Sequence, residues 1–172
     1  MRVNRIVLSV CLLLGSGSAL AQKVNTDYDR SVDFSQYKTY AWLESKSHAS
    51  ELAHKRIIAA IDEQLAAKGI QEQTHERPDM YVVYHVGLKE RVEIKGYNYG
   101  YYRPRWGGGT VRFEQHVYSE ATLVLDMVNA ERNELLWRAV AVGTVSDNPE
   151  KNARKIKKAA AKMFKKFPPR KK

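Results

Sequence analysis

The side chains suited to proton transfer in this sequence are scattered rather than grouped. His85, Asp79 and His116 stand far apart along the chain, so only the fold could bring them to one point. His54 has no second His, Asp or Glu four positions on, the spacing by which a helix would share a metal between adjacent turns. There is no G-x-S-x-G and no H-E-x-x-H, and Gly107-Gly108-Gly109 leads into Thr110 and a strand-like run rather than into a phosphate-binding helix. Cys11 is the one cysteine and lies in the leader, which removes thiol nucleophiles, zinc–thiolate sites and disulfides from residues 22–172. No catalytic, metal-binding or cofactor-binding residue is assigned, and no cofactor is expected.

Residues suited to binding stand in three places. The stretch 95–109, KGYNYGYYRPRWGGG, holds five glycines in 15 positions and is expected to be a loop. Its Tyr97, Tyr99, Tyr101, Tyr102 and Trp106 could lie flat on sugar rings or in an interfacial membrane layer, and Arg103 and Arg105 could hold anions. The same composition also suits a plain connector between paired strands. Tyr81 and His85 share the polar side of a long alternating run, and Lys157, Lys158, Lys165 and Lys166 share the polar side of a C-terminal helix.

Charge is distributed unevenly. The chain has 172 residues and a formal net charge of +10. Residues 151–172 hold 11 Lys or Arg and no acid, while residues 22–150 hold 16 basic and 19 acidic residues. The basic character therefore belongs to the terminal helix and its extension. At the other end, Arg2 and Arg5 precede an apolar segment, Ile6 to Leu14, and Ala19-Leu20-Ala21 forms a small-residue cleavage site. This predicts an export signal over residues 1–21 and a mature start at Gln22. The apolar segment is too short for the ~20 residues of a spanning helix, so no transmembrane segment remains after processing. Cys11 sits inside the apolar segment rather than just after it, which argues against lipidation. Export to the periplasm or beyond removes nucleic acid as an expected partner.

The elements that must position these residues follow from periodicity. EATLVLDMVNAERNELLWRAVAVGTV, residues 120–145, predicts a β-hairpin at the centre of a sheet. Leu123, Leu125 and Met127 form one row, Leu135, Trp137, Ala139 and Ala141 the other, and Asn133 is the left-handed turn residue. Asp126 and Arg138 face each other as a cross-strand ion pair. Asp79 to Ile94 alternates cleanly, as one strand or two with a bend at Gly87, and Val111 to Tyr118 is a further short strand. A helix is predicted from the N-cap Ser50 to Lys68, buried through Ile57, Ile61 and Leu65 with His54 and Ile58 beside them, while Glu51, Lys55, Asp62 and Glu63 face water. A second helix starts at Asn148-Pro149-Glu150. Its buried face is Ala153, Ile156, Ala160, Met163, Phe164 and Phe167, its outward face carries the basic residues from Arg154 to Lys166, and Pro168 and Pro169 stop it. The expected order is β-β-α-β-(β)-β-β-α, a single α+β domain over residues 22–172. It would be a two-layer sandwich with a mostly antiparallel sheet and both helices on one face.

Particular motifs bear a family resemblance. Asp27-Tyr28-Asp29, then D-F-S-x-Y-x-T-Y-A-W from Asp33 to Trp42, are similar to the opening of the DUF4136 family, bacterial envelope proteins of unassigned function. The likeness continues through the helix ending at Gly69, D-M-Y-V-V-Y-H-V from Asp79, L-V-L-D at 123–126, L-L-W-R at 135–138 and F-P-P at 167–169. The resemblance implies an α+β fold and an envelope compartment, and it supplies no chemistry. Many members carry a lipid-bearing cysteine, which this sequence lacks. Two function classes stay open. One is a non-catalytic exported module that binds an anionic envelope surface, a glycan or another envelope protein, and the other is a small periplasmic hydrolase whose site is assembled only in the fold.

Overall fold

The computed structural model describes residues 22–44, 49–99 and 110–169, so the export signal expected over 1–21 lies outside the described residues. The strands and α-helices among the described residues follow in order: β1 Lys23–Tyr28, β2 Thr39–Trp42, α1 Glu51–Ala67, β3 Gln71–Glu72, β4 Met80–Tyr99, β5 Thr110–Asn129, β6 Leu135–Thr144 and α2 Pro149–Phe164, with a 3-10 turn at Phe34–Gln36 between β1 and β2. The strands make one six-stranded sheet in the order β1-β6-β5-β4-β2-β3. β2 runs parallel to both β3 and β4, and the remaining pairs are antiparallel. The architecture is α+β with the two helices on one face, as expected.

Local chemistry accounts for the boundaries. Ser50 Oγ accepts from the amide of Ala53 at the start of α1, and Gly69 ends the helix at φ 75°. Asn148 Oδ1 accepts from the amides of Glu150 and Lys151, with Pro149 in the first turn of α2. Between β5 and β6, Asn133 holds φ 55° and Asn129 Oδ1 accepts from the amides of Glu131 and Arg132.

Helices and sheet enclose one core. Ile57, Ile61 and Leu65 of α1 and Met163 and Phe164 of α2 lie over Met80, Val82, Tyr84, Leu125, Met127 and Trp137. Trp137 is fully buried, with Phe167 and Phe164 ring centroids 5.3 and 5.7 Å away. One detail of the predicted rows is corrected. Leu135 is exposed while Leu136 is buried, because a bulge pairs Met127 with Trp137 and Val128 with Leu135 and leaves Leu136 as the extra residue.

The long strands depart furthest from expectation. Of the two readings of Asp79 to Ile94, the single strand holds, since β4 runs unbroken past Gly87, but the predicted short strand at 111–118 is only part of the first half of β5. Residues 95–99, expected in the loop, continue β4 and pair with 110–114. β6 ends at the level of Glu120, and Ser119 O still accepts from the amide of Val145, so among the described residues 91–99 and 110–118 pair only with each other and form a two-stranded ribbon. At ~3.3 Å per residue this ribbon extends about 30 Å past the sheet. Backbone pairing between two strands outweighed a composition that read as loop.

Candidate functional site

The three candidate surfaces fall on different parts of the molecule. Tyr81 and His85 lie on the face of β4 away from the helices, opposite Val128 and Val124 of β5, with Tyr81 half-buried and His85 exposed. Four residues of strand put them ~13 Å apart, so they share a face without sharing a contact. Tyr97 and Tyr99 are at the ribbon end of β4, while Tyr101, Tyr102, Arg103, Arg105 and Trp106 lie outside the described residues. Lys157, Lys158, Lys165 and Lys166 are exposed along and just beyond α2, and Lys157 Nζ is 3.4 Å from Glu63 Oε2 of α1. Not every lysine of α2 is outward: Lys155 Nζ donates to Thr144 O (2.8 Å) and Oγ1 (3.2 Å), and Lys162 Nζ donates to Gln22 O (3.2 Å).

The residues suited to proton transfer do not converge. Asp79 and His85 are six positions apart on one chain, ~20 Å along an extended backbone. His116 pairs with Glu93, eight positions beyond His85. Asp79 Oδ2 is occupied by the amides of Lys38 and Thr39, both at 2.8 Å. Burial pushes the Asp79 carboxyl up, but those two amides and Thr39 outweigh it and hold the group below its ordinary range. Among the described residues no group of three His, Cys, Asp or Glu is placed to hold a metal ion.

A polar cluster under α1 was missed by sequence reasoning. Asp62, expected in water, is half-buried and accepts from Tyr40 Oη (2.7 Å) and Trp42 Nε1 (3.0 Å). Burial, then the bond to Asp62, pushes the Tyr40 hydroxyl well above the usual phenol range, so it remains a donor. Beside it His54 Nδ1 is hydrogen-bonded to Tyr84 Oη, and Trp42 stands edge-on to Tyr84 at 6.2 Å. The available signal was positional: Asp62 follows Ile58 by four residues and so flanks the apolar stripe of α1.

The site the sequence did not show at all is a cavity of about 500 Å³ between the N-terminal halves of both helices and the sheet. Its floor is made by small residues. In register across three strands, Leu88, Ala121 and Gly143 form one row and Val86, Leu123 and Ala141 the next. At the other end of the sheet Tyr84, Met127 and Trp137 fill the same layer. Helices held at one height by the bulky end leave space above Ala121 and Ala141, while the Gln22 side chain lies over Gly143, 3.5 Å from where a Cβ would stand. Leu52, Ala53 and Ile57 of α1 and Ile156 and Ala159 of α2 form the roof, with Val145 and Pro149 beside them. Leu52 and Leu88 at the rim are 63% and 58% exposed. The polar lining consists of Gln22, Ser50, Thr144, Asn152, Arg56 and Lys155, and among the described residues no carboxylate lines the cavity.

Comparison with known proteins places the fold. Among solved structures, a PDZ domain protein from Parabacteroides distasonis aligns at TM-score 0.56 and 15% identity, over 87% of this chain and 36% of that one. This chain thus spans about a third of that protein's length. The PelC dodecamer from Paraburkholderia phytofirmans aligns at TM-score 0.52 and 10% identity, over 84% of this chain and 95% of that chain. Identities this low establish shared architecture alone. Among curated proteins none matches. The motifs from Val24 to Pro169 match the family profile across the whole described fold, and the chain belongs to DUF4136, a domain of unknown function.

Proposed function

We propose that this protein is an exported, non-catalytic binding module of the cell envelope, and that the cavity between helices and sheet is its ligand site. The cavity carries the reading. At about 500 Å³ it has the size of small-molecule sites, ~300–1,000 Å³, and its walls are apolar with a few polar groups, the usual make-up of such sites. The hydrolase alternative needs an acid and a base within reach of one another, and His85, Asp79 and His116 lie on separate stretches of strand.

The test is a titration of the mature protein with N-phenyl-1-naphthylamine, a neutral dye that brightens in apolar surroundings. Saturable brightening is expected, and Ala121→Leu, which fills the floor, is expected to abolish it while the protein still melts cooperatively. An unsaturable response, or equal brightening by the variant, would remove the cavity as a ligand site.

A second reading rests on the ribbon. Val92, Ile94 and Val117 are 56%, 66% and 59% exposed on it, an apolar surface of the kind that protein partners cover. PelC, of the same architecture, forms a dodecamer, so self-association is the form to test first. Sedimentation velocity of wild type and of Val92→Lys/Ile94→Lys would distinguish it, a monomeric wild type ruling it out.

A further inference from the structure

We infer that the cavity takes a single acyl chain with an anionic head, and that Arg56 binds that head. The inference rests on the cavity being a ligand site, and it names the ligand's chemistry. Arg56 is half-buried on α1 beside the apolar roof, and among the described residues no carboxylate pairs with it. Lys155, the other cation of the lining, donates to two neutral oxygens of Thr144. Both cations therefore border an apolar space without an anion to offset their partial desolvation.

Among the other arginines, Arg91, Arg132, Arg138 and Arg154 each have an acidic partner within 4.0 Å, and Arg77 donates to Ala130 O (2.8 Å). The amino-terminal ends of α1 and α2 also meet at this rim, at Ser50 and Pro149, so the backbone adds positive rather than negative potential. A carboxylate or phosphate bound there would form the planar, two-point bonds that guanidinium favours. The chain attached to it would lie over Ala121 and Ala141, beside the Gln22 side chain that covers Gly143. Exposed Leu52 and Leu88 would cover its outer end. A neutral or cationic head would leave Arg56 uncompensated, and an aromatic ligand would leave the rim leucines in water.

The experiment is competition against bound N-phenyl-1-naphthylamine by dodecanoate, dodecyl phosphate and dodecyltrimethylammonium, each below its micelle concentration, with calorimetry of dodecanoate alone. Both anions are expected to displace the dye at least about tenfold more tightly than the cation, the discrimination that bonds to a charged group supply. Arg56→Gln should weaken dodecanoate by a similar factor without weakening the cationic amphiphile, dye binding remaining saturable, while Arg56→Lys should restore part of the loss. Dodecanoate against dodecyl phosphate separates a carboxylate from a phosphate source. Saturable dye binding with equal displacement by all three would sink the anionic assignment and leave the cavity standing. Absence of dye and dodecanoate binding together would overturn both.

Discussion

Arg138 clasps Asp126 from the facing strand, Nε to Oδ1 at 2.6 Å and Nη2 to Oδ2 at 2.7 Å, and covers a carboxylate whose residue is only 5% exposed. The pair lies at the centre of the sheet on the face away from the helices, where β5 and β6 are in register. Parallel two-point geometry makes the arginine hard to replace by lysine. Its solvent-facing side keeps the interaction weaker than a fully buried one.

Removing one partner should cost more than removing both. Arg138→Ala strands a buried carboxylate and should lose about 2–3 kcal/mol in urea unfolding, below the full penalty for a buried pair because the arginine side chain is about half exposed. Asp126→Val with Arg138→Val, two residues favoured in strands, should lose markedly less than the sum of the single changes. Additive losses would mean that the pair does not act as a unit.

Trp137→Ala should destabilise by about 3–5 kcal/mol, the range for truncating a buried large aromatic. Trp137 Nε1 has no hydrogen-bond partner among the described residues, so the loss is one of packing against Phe164 and Phe167. Trp137→Phe should therefore cost much less. Equal losses for the two variants would show that the indole is held by something other than its rings.

Much of this fold was legible because its signals are local. Ser50, Asn148 and Asn133 are each read from their immediate neighbours, and each occupies the expected cap or turn. The errors are non-local. Leu136 is buried because of a bulge set by the opposite strand, and Asp62 is drawn inward by Tyr40 and Trp42 some 20 residues earlier. Residues 95–99 resemble loop in sequence because tyrosine and glycine composition carries no information about a partner strand. The cavity is the extreme case. Ala121, Ala141 and Gly143 are unremarkable singly, and only the register between β5 and β6 brings them together in one floor.

Asp79 predicts a pH dependence. Its folded carboxyl titrates below the unfolded value, ~3.9, because the amides of Lys38 and Thr39 favour the charged form against the cost of burial. A lowered pKa stabilises the fold above the unfolded pKa, and the contribution disappears as pH falls through the folded one. Asp79→Asn should thus lose about 1 kcal/mol at pH 7, the low end for bonds to a charged group because the side chain is exposed. The gap to wild type should shrink below about pH 4. A gap unchanged between pH 7 and pH 2 would mean that the amides do not need the charge.

Export should leave Gln22 as the first residue. Its side chain donates to Lys155 O (3.3 Å) and its carbonyl accepts from Lys162, so the new end would be tied to α2. Intact mass of protein recovered from the envelope fraction is expected to correspond to residues 22–172. Recovery of the full chain from cytosol would remove the compartment and reopen nucleic acid as a partner.

The outward lysines predict attraction to anionic surfaces. Lys157, Lys158, Lys165 and Lys166 are exposed, and among the described residues only Lys157 has an acid within 4.0 Å. Their mutual repulsion falls when a negative surface lies close, and each lysine near charged lipid contributes on the order of 1 kcal/mol. That attraction fades within a Debye length of ~8 Å at physiological salt, so binding should weaken steeply with ionic strength. Co-sedimentation with phosphatidylglycerol vesicles is therefore expected at about 50 mM and not at about 500 mM salt, and not with phosphatidylcholine at either. Gln at all four positions should abolish it without lowering the melting temperature, since none of the four side chains contributes to the core. Equal pelleting of variant and wild type would mean that the basic face serves solubility rather than attachment.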